Sequence, residues 1–170
     1  YKIKKKFIFI DNLDQTLLAN IKKKNNLSNS LFLIISKSGN TNETILNLSF
    51  FKSFLKKSNT IIISENKNNF LSNLAKEKGF HFIHHNINIG GRYSIFSEVG
   101  MVPAYLMGLN PKNFKKNLNK LLKNKNFHLN ISKAISNLRL KKFKTLILLN
   151  YVPELNNFLY WCQQLLAESL

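Results

Sequence analysis

Nine consecutive residues, Ser36-Lys37-Ser38-Gly39-Asn40-Thr41-Asn42-Glu43-Thr44, carry four hydroxyls and one ammonium. Groups of that kind donate hydrogen bonds to an anion. The apolar run Leu33-Ile34-Ile35 precedes them and a helical pattern follows. A strand, a hydroxyl-rich loop and a helix N-terminus in that order suit a phosphate, because the first helical turn has unpaired N–H groups and a partial positive charge. The segment lacks the G-x-x-x-x-G-K-[ST] spacing of a nucleotide loop and the G-x-G-x-x-G of a dinucleotide fold. It suits a single phosphate monoester, with hydroxyls in place of most glycines. An ordinary capped helix, with Thr41 as N-cap and Thr44 reaching back, accounts for the spacing equally well.

A second cluster is Asn88-Ile89-Gly90-Gly91-Arg92-Tyr93-Ser94 through Ser97. Adjacent glycines let the backbone approach a ligand. Arg92 would supply a permanent, planar cation to a developing oxyanion. It is one of two arginines, with Arg139, among 26 Lys and Arg residues. A tight turn with a surface arginine is the plainer account. A third cluster lies near the C-terminus. Asn157, Trp161, Gln164 and Glu168 share one helical face, opposite the stripe Leu155, Phe158, Leu159, Cys162, Leu165 and Leu166. Glu168 is a candidate general base with Gln164 one turn away. A solvated polar face explains the same pattern more simply. Strand alternation puts His81 and His85 on one face and His84 on the other, with no Cys or Asp nearby to complete a metal site. Cys162 falls on the apolar stripe and reads as core.

The elements that must position these residues alternate. Strands are expected at Lys6–Ile10, Leu31–Ile35, Thr60–Ser64, Phe80–His84 and Thr145–Leu149. Helices are expected at Leu13–Lys24, Asn42–Lys57, Asn68–Lys78, Ser97–Met107, Phe114–Lys123, Ile131–Leu138 and Pro153–Leu170. Gly79 should stop the third helix, and Pro103 should kink or break the fourth. The near-continuous apolar strands suit a parallel sheet buried on both faces. The expected fold is α/β, a doubly wound and mainly parallel sheet flanked by helices in three layers.

Composition narrows the possibilities. At 170 residues, 44% hydrophobic and 12% aromatic, the chain can bury a core as one domain. One cysteine excludes an internal disulfide and fits a reducing compartment, the cytoplasm. No apolar run approaches the roughly 20 residues of a membrane span. The net charge of +18 suggests nucleic acid. Its lysines are scattered, however, and DNA readers concentrate arginine, so drift towards lysine and asparagine is preferred and no nucleic-acid partner is expected. A basic field would still attract a phosphorylated substrate. The first residue is Tyr, and the last four, Ala167-Glu168-Ser169-Leu170, lie inside a helical pattern. The expectation is a piece of a longer protein.

Together these segments resemble the glucose-6-phosphate isomerase family, built from sugar-isomerase (SIS) domains. Ser36–Thr44 resembles the family's phosphate-binding S-K-[ST]-x-x-T-x-E-T segment. Gly90-Gly91-Arg92-Tyr93-Ser94 through Ser97, Val99-Gly100 and Pro103 resemble its G-G-R-x-S-x-x-S-x-x-G-x-x-P signature. Trp161 through Ser169 resembles the run leading into Glu-Ser-x-Gly-Lys, and Phe9–Asp14 resembles the domain's opening. The resemblance implies a flavodoxin-like three-layer SIS domain over 1–170, within a longer two-domain chain that works as a homodimer. It implies interconversion of glucose 6-phosphate and fructose 6-phosphate through a cis-enediol, with no metal and no cofactor. Ser36, Lys37, Ser38, Thr41 and Thr44 would hold the phosphate, and Gly39 and Asn40 of the same loop would also bind substrate. Gly91 and Gln164 would contact substrate, Arg92 would stabilise enediolate charge, and Glu168 would move the proton. The family's ring-opening His, a late Lys and an upstream sugar-contacting segment have no counterpart here, and none of His81, His84, His85 and His128 sits in a matching motif. A non-catalytic SIS module that senses a sugar phosphate is the alternative.

Overall fold

The computed structural model describes residues 5–140, 145 and 147–169. Among them is a parallel sheet of three strands, β1 (Phe32–Ile35), β2 (Thr60–Glu65) and β3 (His81–His85), in the order β1-β2-β3. Register pairs Ile34 with Ile62 and Ile62 with Phe82. Before the sheet comes α1 (Gln15–Lys24), whose N-cap Asp14 accepts from the Leu17 N–H. Helix α2 (Asn42–Phe51) crosses from β1 to β2, and α3 (Phe70–Lys78) from β2 to β3. Gly79 ends α3 in the left-handed conformation at φ 64°, as expected of a glycine stop. Helix α4 (Glu98–Leu106) starts from the N-cap Ser97 and retains Pro103 inside it. Pro103 removes one donor, yet its carbonyl still accepts from the Met107 N–H at 2.9 Å, so the helix runs on.

Side chains alternate across the sheet, so each face packs its own layer. Ile34, Ile62 and Phe82 meet Leu48 of α2 and Leu71 and Ala75 of α3. The C-terminal part of α2 joins α1 in a second cluster of Leu18, Ile21, Leu27 and Phe51. On the opposite face His85 meets Glu98 at the start of α4. Helices therefore lie on both sides of the sheet, an α/β arrangement consistent with a doubly wound sandwich.

Several expected elements differ. Residues 6–10 form no strand, and Ile8 and Phe9 are exposed, although Ile10 packs on the Leu18 cluster. The expected strand Thr145–Leu149 is also absent where it is described. Leu146 lies outside the described residues, and Ile147 and Leu149 are exposed. An apolar, β-branched run becomes a strand only where a sheet edge offers it a ladder. Helix α2 stops at Phe51 and tightens into a 3-10 turn over Lys52–Phe54.

The described residues fall into two compact units, Tyr1–Leu109 and Asn110–Leu170. The second holds α5 (Pro111–Lys115), α6 (Leu118–Leu122), α7 (Lys125–Leu140) and α8 (Asn156–Ser169). One helix expected over Phe114–Lys123 is thus two short ones, and Ile131–Leu138 is the middle of a longer one. A 3-10 turn, Pro153–Leu155, leads into α8. Leu170 lies outside the described residues.

Leu71 is fully buried between α3 and the sheet. Leu71→Ala should cost about 2–5 kcal/mol of folding stability, read as a lower urea midpoint. A loss below about 1 kcal/mol would mean that this layer is not closely packed.

Candidate functional site

Parallel strands bring their C-terminal ends to one edge, where ligands of open α/β sheets collect. Three segments leave that edge: 36–41 after β1, 66–69 after β2 and 86–97 after β3. An open cleft of about 340 Å³ lies at the ends of β2 and β3, lined by Glu65, Lys67, His84, His85 and Asn86 among others.

The first loop is sewn to the sheet beyond β1. Ser36 N–H donates to the Ile63 carbonyl at 3.1 Å. The Lys37 carbonyl then accepts from Glu65 N–H at 3.1 Å and from Ser64 Oγ at 3.3 Å. Gly39 takes φ 70°, and a Cβ there would collide with the Asn69 side chain, so the position requires glycine. Its carbonyl accepts from Leu71 N–H at 3.1 Å, while Asn40 Oδ1 accepts from Phe70 N–H at 2.8 Å. Gly39 and Asn40 thus hold the N-terminus of α3 against the loop. Asn69 completes the junction with a capping box to Ser72 and an Nδ2 bond to the Glu65 carbonyl at 3.0 Å.

The hydroxyls converge. Ser36 Oγ lies 2.7 Å from Thr41 Oγ1, and Ser38 Oγ lies 3.4 Å from it. Gly39 N–H donates to Ser36 Oγ and Asn40 N–H to Ser38 Oγ, each at 3.2 Å. Thr41 is the N-cap of α2 but makes no side-chain cap bond, because its hydroxyl turns to Ser36 instead. Thr44 sits half-buried in the first turn of α2. Lys37 Nζ lies 3.6 Å from Glu65, which also pairs with Lys67 at 2.8 Å. The hydrogen bond and charge of Lys67, with Lys37 behind it, hold the Glu65 carboxyl below its usual range. Nothing in the spacing of Lys37 and Glu65 signals this pair, which β1–β2 register creates.

Arg92 is half-buried within the 3-10 turn Gly91–Phe96. Ser94 Oγ donates to the Gly91 carbonyl and Ser97 Oγ to the Ser94 carbonyl, both at 2.6 Å. A Cβ on Gly100 would strike the Ile95 carbonyl, so that glycine lets α4 close on the turn. At Gly91 a Cβ would meet no heavy atom within 4 Å among the described residues, so packing does not demand glycine there. Gln164 and Glu168 belong to the second unit, on the exposed face of α8, where Gln164 Nε2 donates to Glu168 Oε1 at 3.2 Å. Cys162 is half-buried on the other side of that helix. The structure therefore brings the loop 36–44 and Arg92 to one sheet edge, and Gln164 to Glu168 on one helix. Among the described residues no group of three His, Cys, Asp or Glu side chains could hold a metal. No helix among them is long and apolar enough to cross a membrane.

The phosphoglucose isomerase family model matches residues 1–169. The chain belongs to this family. It is 31% identical to a glucose-6-phosphate isomerase of Methanocaldococcus jannaschii, over 95% of this chain and 43% of the relative. It is 33% identical to one of Borreliella afzelii, over 95% of this chain and 33% of the relative. The chain thus spans less than half the length of such relatives. The crystal structure of a hypothetical protein from Thermus thermophilus superposes with a TM-score of 0.62 at 23% identity, covering 65% of this chain and 28% of that one. That likeness bears on the fold alone.

A carboxyl held below its usual range stabilises the fold while ionised, and that contribution fades as pH falls through its lowered value. Glu65→Gln should therefore lower the urea midpoint at neutral pH. The gap to the parent should close as pH drops below the carboxyl's usual 4.5. A gap that persists unchanged into acid would remove the ion pairs as its cause.

Proposed function

We propose that these 170 residues form the first SIS domain of a longer aldose–ketose isomerase that interconverts glucose 6-phosphate and fructose 6-phosphate. The observation that carries this is the shared sheet edge: hydroxyls, an uncapped helix start and a lysine at one loop, a guanidinium at another. Ser36, Lys37, Ser38, Thr41 and Thr44 hold the phosphate, with Gly39 and Asn40 shaping the loop. A dianion there competes with Glu65 for Lys37 and adds the N–H groups of the α2 start. The open space at Gly91 admits the sugar chain. Glu168 takes the proton from C2 of the open-chain aldose. The C–H electron pair forms the C1=C2 bond as the C1=O π pair moves onto the C1 oxygen, which takes up a proton to give the cis-enediol. Glu168 then returns the proton to C1 as the C2 hydroxyl releases its own, which balances the proton gained at the C1 oxygen, and C2 becomes the carbonyl of the ketose. Arg92 stabilises the oxygen charge that develops, and Gln164 orients Glu168 and the sugar. The reaction needs neither metal nor organic cofactor. Family membership supports a homodimer acting in the cytoplasm in glycolysis and gluconeogenesis.

In the full-length protein, Glu168→Gln should lower kcat by about 10²–10⁴-fold, the usual contribution of a positioned base, with inorganic phosphate affinity kept. Unchanged turnover would remove Glu168 as the base. Phosphate binding by a parent protein that turns nothing over would instead indicate a non-catalytic sugar-phosphate sensor.

A further inference from the structure

Among the described residues, the proposed chemistry leaves one buried titratable side chain unused. His85 ends β3, and its side chain is fully buried. Its Nδ1 faces the Glu98 carboxylate, and its Nε2 lies 3.2 Å from the Ile89 carbonyl. Ile89 stands just before Gly90-Gly91-Arg92, and Glu98 opens the helix just after Ser97. One imidazole therefore grips the turn of Arg92 at both ends. The hydrogen bonds inside that turn are local: Tyr93 N–H to Gly90, Ser94 Oγ to Gly91, and Ser97 to Ser94. These bonds shape the turn locally, while His85 reaches its two ends from the strand. A short 3-10 turn is held more firmly when buried groups outside it grip its ends.

We propose that His85 and Glu98 form a positioning pair that fixes the Arg92 turn on the sheet edge. Neither is a catalytic residue; both act through Arg92. The inference rests on the isomerase reading only for its kinetic consequence. The ring is a rigid spacer with two polar atoms on opposite sides, the shape needed to span a carbonyl and a carboxylate. A carbonyl and a carboxylate both accept, so the two contacts together call for an N–H on each ring nitrogen, and buried polar atoms paired in this way rigidify their surroundings. Misplacing a charge stabiliser by about 1 Å can cost as much as 10²-fold in rate.

The test uses the full-length protein with His85→Gln, Glu98→Gln and the double variant. Amide hydrogen exchange should quicken at residues 91–97 in each, with protection of β2 and of the loop 36–44 unchanged. Turnover of fructose 6-phosphate should show kcat down about tenfold or more with KM within about twofold, as expected when a transition-state contact is loosened. Since the two act as a unit, the double variant should be no worse than His85→Gln. Unchanged exchange at 91–97 in both single variants would overturn the pairing. So would a rise in KM at constant kcat, or additive losses. If the parent shows no isomerase activity, the isomerase reading fails, and the exchange measurement alone decides the positioning pair.

Discussion

The structure depends on parallel pairing of β1 with β2 that continues past the end of both strands. Ser36, Lys37 and Glu65 extend the ladder into the loop, and Ser64 adds a side-chain bond to the same Lys37 carbonyl. A loop continuous with a sheet loses little further entropy on ordering. The hydroxyls of Ser36, Ser38 and Thr41 can then be held together before any ligand arrives. The same register brings Glu65 under Lys37 and offers its carbonyl to Asn69, which caps α3.

From that seam the site is built outward. Gly39 and Asn40 tie the loop to α3, and α3 packs Leu71 and Ala75 on the sheet. The Arg92 turn is built differently, from serine hydroxyls, a close approach at Gly100, and the buried His85 at the strand end. Two loops on one edge are thus fixed by separate means. For the proposed reaction a phosphate anchor and a charge stabiliser must sit at a set distance, and a common sheet is the simplest way to hold one.

Some features of the fold are legible one residue at a time. Asp14 before α1, Gly79 after α3 and Ser97 before α4 cap as their types suggest, because capping is a local contest for backbone groups. Thr41 defeats that logic. It stands at an N-cap, yet its hydroxyl prefers Ser36 across the loop. The runs 6–10 and, where it is described, 145–149 mislead for a different reason. A strand is a pair property, and alternation or β-branching cannot supply the neighbour.

The sequence by itself determined the alternation of apolar strands and helices, the hydroxyl loop, the Gly-Gly-Arg turn and the one-turn spacing of Gln164 and Glu168. Short-range periodicity and spacing encode all of these. Only the tertiary structure decided that Glu65 neutralises Lys37, that Asn40 serves α3, and that His85 clasps the Arg92 turn through Ile89 and Glu98. Those partners are 28, 30, 4 and 13 positions apart, subtracting the residue numbers. Strand register and helix packing set which of the distant partners meet.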